Sequence, residues 1–240
     1  MLPQRAGVST WAVQRRAGAR GLVRSDDMWG KSMAIHDAAA QAELDSLIER
    51  VRDCRLCPRM EGRRRVFGPA NGSLGARALV IAEAPGRLGG ERYGAPLVHD
   101  QTGRNFTALL ATAEIERSWL FITNAIVCAP LADGKNDTPR PHEVRNCSRH
   151  LADLLSVLDP PLVVTLGIVA LGAVALLAPH NLILRRDVGV PRAWSGRTLL
   201  PLYHPGPRAL IHRPLQQQRV DYALLAQALG AIDGGDGRRD

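Results

Sequence analysis

A chain of 240 residues with 45% apolar content can bury a sizeable core, and it reads as one large domain. No run approaches the roughly 18 unbroken apolar residues of a membrane-spanning helix, so the expectation is a soluble, cytoplasmic protein that does not engage a membrane. The net charge of +8 rests on 31 basic residues, of which only Lys31 and Lys135 are lysine. Such arginine bias suits an acidic polymer such as DNA, and a genome rich in arginine codons would produce it equally well.

Residues 1–34 hold Arg5, Arg15, Arg16, Arg20, Arg24 and Lys31 against Asp26 and Asp27, with no apolar core of a secretory signal. They are expected to be a disordered basic extension, with translation starting at Met28 or Met33, ahead of a domain over residues 35–231 and a disordered tail over 232–240. Apolar residues at helical spacing over 39–52 predict a helix that ends just before Cys54-Arg-Leu-Cys57. Residues 78–82 (ALVIA) read as a buried strand, followed by a Gly/Pro-rich loop and a helix over 103–113. A second strand is expected over 120–123. After a polar loop, Pro141 near the first turn opens a helix over 142–158. Residues 162–166 (LVVTL) form a third strand leading into an Ala/Leu-rich helix over 168–177. A fourth strand over 198–203 and a closing helix over 214–229 complete the pattern.

Strands alternating with helices predict a three-layer α/β/α fold around a four-stranded parallel sheet. Ligands of such sheets bind beyond the carboxyl ends of the strands, which singles out three loops. They begin Ala82-Glu83-Ala84-Pro85-Gly86, Thr123-Asn124 and His204-Pro205-Gly206. An acid, an amide and an imidazole at three strand ends are the components of an assembled site. Cys54, Cys57, Cys128 and Cys147, in a chain with no export signal, point to metal ligation rather than disulfides. Four thiolates suit zinc or an iron-sulfur cluster, and spacing does not choose between them.

With these loops and cysteines together, residues 47–229 resemble the family-4 uracil-DNA glycosylases, the iron-sulfur branch of the uracil-DNA glycosylase superfamily. Those enzymes carry a G-E-x-P-G first motif, an Asn ending the second strand and a later motif beginning His-Pro. The resemblance implies a [4Fe-4S] cluster on Cys54, Cys57, Cys128 and Cys147. It further implies a monomeric enzyme that flips uracil from single- or double-stranded DNA and hydrolyses its glycosidic bond in base excision repair. Asn124 would then read the uracil edge, His204 would stabilise the departing base, and Glu83 would assist at the sugar or the attacking water. Ala82, Ala84, Pro85, Gly86, Leu97, Asn136, Gly206 and Arg208 would form the substrate-binding surroundings, with Arg208 and Arg213 near the DNA backbone.

The chain departs from the family pattern at several points. Pro96-Leu97-Val98-His99 stands where the family has Pro-Phe-Val-Gly, so the aromatic platform for the flipped base is absent and Tyr93 is a candidate substitute. Ala82 replaces the first Gly, and Asp137 replaces Arg in the run Asn136-Asp137-Thr138-Pro139. Two further readings stand beside it: a non-catalytic DNA binder with the same fold and cluster, its activity lost through the Leu97 and Ala82 changes, and a zinc-stabilised nucleotide-binding or regulatory protein.

Overall fold

The structure is a computed structural model that describes residues 25–235, with side chains over 38–232. The basic segment 1–24 and the last residues, 236–240, lie outside the described residues. The chain divides into two units, residues 1–37 and 38–240, and the site lies in the second. In chain order the helices are α1 (Ser25–Arg52), α2 (Gly90–Tyr93), α3 (Gln101–Thr112), α4 (Pro141–Leu158), α5 (Ile168–Ala175), α6 (Leu184–Asp187), α7 (Pro207–Leu210) and α8 (Leu215–Gly235). The strands are β1 (Ala78–Ala82), β2 (Leu120–Asn124), β3 (Leu131–Ala132), β4 (Lys135–Asn136), β5 (Leu162–Leu166), β6 (Arg192–Trp194) and β7 (Arg197–Leu202).

Every residue of β1, β2 and β5 is buried, which is what an apolar run in a sheet covered on both faces requires. Alternation then sorts their side chains. Leu79, Ile81, Phe121 and Val163 face one layer with Leu47 and Val51 of α1, Leu151 and Leu154 of α4, and Ala173 of α5. Val80, Leu120, Ile122 and Val164 face the other, with Phe106 and Leu109 of α3 and Tyr222 and Leu225 of α8. The three-layer arrangement thus follows directly from a period of two within each strand.

The sheet order is β2-β1-β5-β7-β6. The first four strands are the expected parallel sheet, and β6 adds an antiparallel fifth strand at its edge. It pairs with β7 through a two-residue turn in which Ser195 (φ 47°) and Gly196 (φ 76°) both take left-handed backbone, the type I′ geometry that joins twisted strands. The polar loop after β2 contains a second such turn: Asp133 (φ 49°) and Gly134 (φ 70°) link β3 to β4 as a short hairpin. α1 begins at Ser25 and α8 runs to Gly235, so residues 25–34 and 232–235 are helical in the structure.

From β1 the chain moves outward to β2, then returns across β1 to β5. That reversal opens a crevice at the carboxyl edge of the sheet.

Candidate active site

A cavity of about 580 Å3 lies in that crevice. Its wall is built from Glu83, Ala84, Pro85 and Gly86 after β1, Asn124 at the end of β2, Asn136 and Asp137 at the hairpin, and His204, Gly206 and Arg208 after β7. Leu97, Asp100 and Thr102 close it from the segment entering α3. Three loops far apart in sequence therefore meet because their strands end in register: Ala82 lies opposite Asn124, and Leu166 opposite Leu202.

Each polar group has a distinct local cause. The first loop is tied to the exit of β2 by the Ala125 N–H to Ala82 C=O bond of 2.8 Å, which turns Glu83 out of the sheet. Burial raises the Glu83 carboxyl above the ordinary glutamate range, with Arg208 pulling the other way. Asn124 is 3% exposed, and its side-chain nitrogen is buried with no hydrogen-bond partner among the described residues. An unpaired buried donor costs about 1–3 kcal/mol, a penalty that a bound acceptor in the cavity would remove.

His204 accepts the Gly206 N–H at Nδ1 (3.1 Å), so its neutral ring carries the proton on Nε2. Burial pushes this imidazole down to about 4, against the attraction of Asp100 and with help from Arg208. It is a neutral donor at physiological pH. Only glycine fits at 206, because a Cβ there would lie 2.7 Å from His204 Nδ1. The loop is fixed from outside by Asn105, whose Nδ2 donates to the Pro205 carbonyl at 2.7 Å.

Asp100, a polar departure from the family pattern to which the sequence assigns no site role, lines the cavity. Its Oδ1 accepts the Gly103 N–H at 2.8 Å as the N-cap of α3. Its Oδ2 is wrapped by the first loop, and a Cβ on Gly86 or Gly89 would come within 2.7 Å of it. A capping acid before a helix is detectable in sequence, but its second role as cavity wall depends on the fold of the preceding loop.

Some expected residues lie elsewhere. Ala82 is fully buried in β1 and does not line the cavity. Tyr93 is outside the wall as well, packed against His99 with ring centroids 4.1 Å apart and the rings tilted by 40°, so it does not replace the missing aromatic platform. Arg213 is committed to Asp221 by bonds of 2.9 and 2.6 Å, a structural pairing rather than a free DNA contact. Leu97 lines the cavity with left-handed backbone (φ 52°), an unusual conformation for leucine.

Comparison with known proteins decides the family. Residues 69–225 match the Uracil DNA glycosylase superfamily. The chain belongs to that superfamily. A Type-4 uracil-DNA glycosylase of Thermotoga maritima is 29% identical over 68% of this chain and 81% of its own length. The Type-4 enzyme of Archaeoglobus fulgidus is 27% identical over 80% of this chain and 94% of its own. A Type-5 uracil-DNA glycosylase of Thermus thermophilus is 30% identical over 67% and 85%.

In this superfamily member the four cysteines are free thiols contributed by three segments: the turn after α1, the exit of β2 and α4. Cys128 is bridged antiparallel to Arg65, and the Val66 N–H bonds the Val127 carbonyl at 2.8 Å, which brings the first segment to the second. Burial pushes the Cys128 thiol up to about 11 and Cys147 up to about 12, and each lies within electrostatic reach of Cys54 and Cys57. Among the described residues no three metal-ligating side chains stand together as a finished cage. The fit to a metal group therefore rests on donor chemistry, four thiols carried by three segments.

Proposed function

We propose that this protein is a monofunctional uracil-DNA glycosylase that starts base excision repair of deaminated cytosine. The observation that carries the reading is the convergence of Glu83, Asn124 and His204 on one cavity in a member of this superfamily. The bond to be cut is inaccessible within a stacked duplex, so the nucleotide is extruded into the cavity. A primary amide offers a donor and an acceptor, complementary to O4 and N3–H of uracil and mismatched to the amino group of cytosine. Asn124 is that reader.

As the glycosidic bond breaks, negative charge develops on the uracil ring. The Nε2–H of His204 donates to O2 and is worth most when that charge is greatest. A water held by Glu83, with Asn136 beside it, attacks C1′ as the bond to the departing uracil anion breaks, and its proton passes to the carboxylate. Arg208 and the Gly206 segment approach the DNA backbone. Lys135, exposed on the hairpin, is not part of the cavity wall, which supports hydrolysis without strand cleavage. Cys54, Cys57, Cys128 and Cys147 would hold a [4Fe-4S] cluster, which would supply a structural link among the turn after α1, the exit of β2 and α4 rather than a group for the reaction. No described helix is long and apolar enough to cross a membrane, in keeping with a protein that works on DNA in the cytoplasm.

Release of free base from a uracil-containing oligonucleotide tests the reading. Wild-type protein is expected to release uracil with multiple turnovers and leave an intact abasic strand; DNA binding without release would instead favour the non-catalytic binder. The acid limb of kcat/KM should lie above the ordinary glutamate range, because burial raises Glu83 and the carboxylate is the active form. Arg208→Ala removes the opposing cation and should move that limb to still higher pH.

Leucine at the platform position gives apolar contact without a π-face. In Leu97→Phe, stacking worth roughly 1–3 kcal/mol per base is expected to lower KM about tenfold with little change in kcat. Unchanged KM would mean that the base does not lie against residue 97.

A further inference from the structure

We propose that Arg59 is a positioning residue that fixes the Asn136–Asp137 wall of the cavity from behind. The proposal rests on the glycosylase reading and adds to it a part that no cavity residue supplies. Arg59 lies two residues past Cys57 in a short 3-10 turn and does not line the cavity. Its guanidinium forks onto Glu143 of α4, Nε to Oε1 at 2.8 Å and Nη2 to Oε2 at 2.7 Å. The remaining nitrogen, Nη1, donates to Asp137 Oδ2 at 2.6 Å.

The two ends of this device differ in environment. The Glu143 side chain is 1% exposed and also accepts the Arg140 N–H at 2.7 Å, which makes it a rigid anchor. The Asp137 side chain is 43% exposed and belongs to the cavity wall, so it is the end being held.

The wall needs such an anchor. Its hairpin consists of two residues on each strand, too few to be stable alone. One further rung closes its open end, the Asp137 N–H to the Pro130 carbonyl at 2.8 Å, and from outside the Arg87 N–H donates to Asn136 Oδ1 at 2.8 Å. A displacement of Asp137 would therefore pass through Asn136 to the loop that carries Glu83. Where the family pattern resembled by this sequence has Arg in the Asn-x-x-Pro run, this chain has Asp137, and Arg59 supplies the opposite charge. The paired arrangement explains why an acid is accommodated in a wall that meets an anionic polymer: its carboxylate is turned back and neutralised.

A purely stabilising ion pair would show the same distances, so the test separates positioning from stability. Arg59→Lys, Asp137→Asn and the double variant are compared with wild type for kcat and KM of uracil release from a single-stranded oligonucleotide, for hydrogen exchange over residues 131–138, and for Tm. Asp137→Asn leaves the buried Glu143 fork intact and keeps the fold testable. Each single variant is expected to raise KM about fivefold, the scale of one partly exposed ion pair, with kcat within about twofold. The double variant should be no worse than the singles, and exchange over 131–138 should quicken in all three.

Additive KM effects would overturn the proposal, because they would mean that Asp137 touches substrate independently of Arg59. A fall in Tm with unchanged KM and unchanged exchange would overturn it too, leaving the fork a stability device. Absence of uracil release by the wild type would refute the glycosylase reading itself, and the exchange measurement would still judge the positioning role on its own.

Discussion

His204→Ala and Asn124→Ala should each reduce excision by about 10²–10³-fold, the usual cost of removing one preorganised donor from a site where charge develops. The two losses should be distributed differently. His204 acts on charge that appears only as the bond breaks, so its removal is expected in kcat with KM nearly unchanged. Asn124 contacts the base edge in the bound complex as well, so its removal should raise KM and lower kcat, and should erode discrimination between uracil and cytosine. Because burial holds the His204 imidazole near 4, it stays a neutral donor from pH 8 down to pH 5. The wild-type profile should therefore contain no ionisation near 6.5 that disappears in His204→Ala; finding one would mean that an imidazolium does the work. The same shift makes stability depend on pH in a definite direction. The unfolded histidine gains its proton near 6.5 and the folded one near 4, so stability declines as pH falls between those values and His204→Ala should flatten that decline.

The sheet was legible in the sequence wherever apolar runs were continuous and of strand length. Residues 78–82 and 162–166 could only be buried on both faces, and the structure bounds those strands at the same residues. The edge strand β6 was missed because Arg192-Ala193-Trp194 is short and half polar, although the Ser195-Gly196 dipeptide that follows is a hairpin signal. The Asp133-Gly134 hairpin carried an even stronger signal, and recognising it would have placed Asn136 at a turn beside the site rather than in an unstructured loop.

Legibility of the candidate site followed the same logic. Residues immediately after parallel strands were readable from topology, since a strand end fixes where the next side chain emerges. Asp100 was not, because its place in the wall depends on how closely Gly86 and Gly89 wrap its carboxylate, a tertiary fact with no local period. Nor was the fate of exposed-looking arginines. Arg213 pairs with Asp221 eight residues on and Arg59 with Glu143 across the fold, and neither partner is at the three- or four-residue spacing that a helix would announce. Charge in a sequence announces a possible partner without saying whether that partner is nucleic acid or the protein itself.

Removal of the proposed cluster is expected to have the largest effect on stability. The turn after α1 is joined to the rest of the fold by the Arg59 fork, the Arg65–Cys128 bridge and the Asn146 bond to the Leu56 carbonyl, and a group bound by all four cysteines would add a cross-link between segments distant in sequence. A cross-link closing so long a loop is worth about 3–5 kcal/mol, and each kcal/mol shifts Tm by roughly 2–4 °C in a domain of this size. Iron chelation, or Cys147→Ser in the most buried position of the set, should thus lower Tm by about 10 °C or more and abolish absorbance near 400 nm together. Because no cysteine lines the cavity, uracil release measured well below the lowered Tm should persist at a substantial fraction of the wild-type rate. A colourless, fully stable protein would eliminate the cluster assignment; loss of colour with unchanged Tm would mean that the cluster does not cross-link the fold; and loss of excision in a variant that remains folded would show that the cluster acts on the reaction rather than on the scaffold.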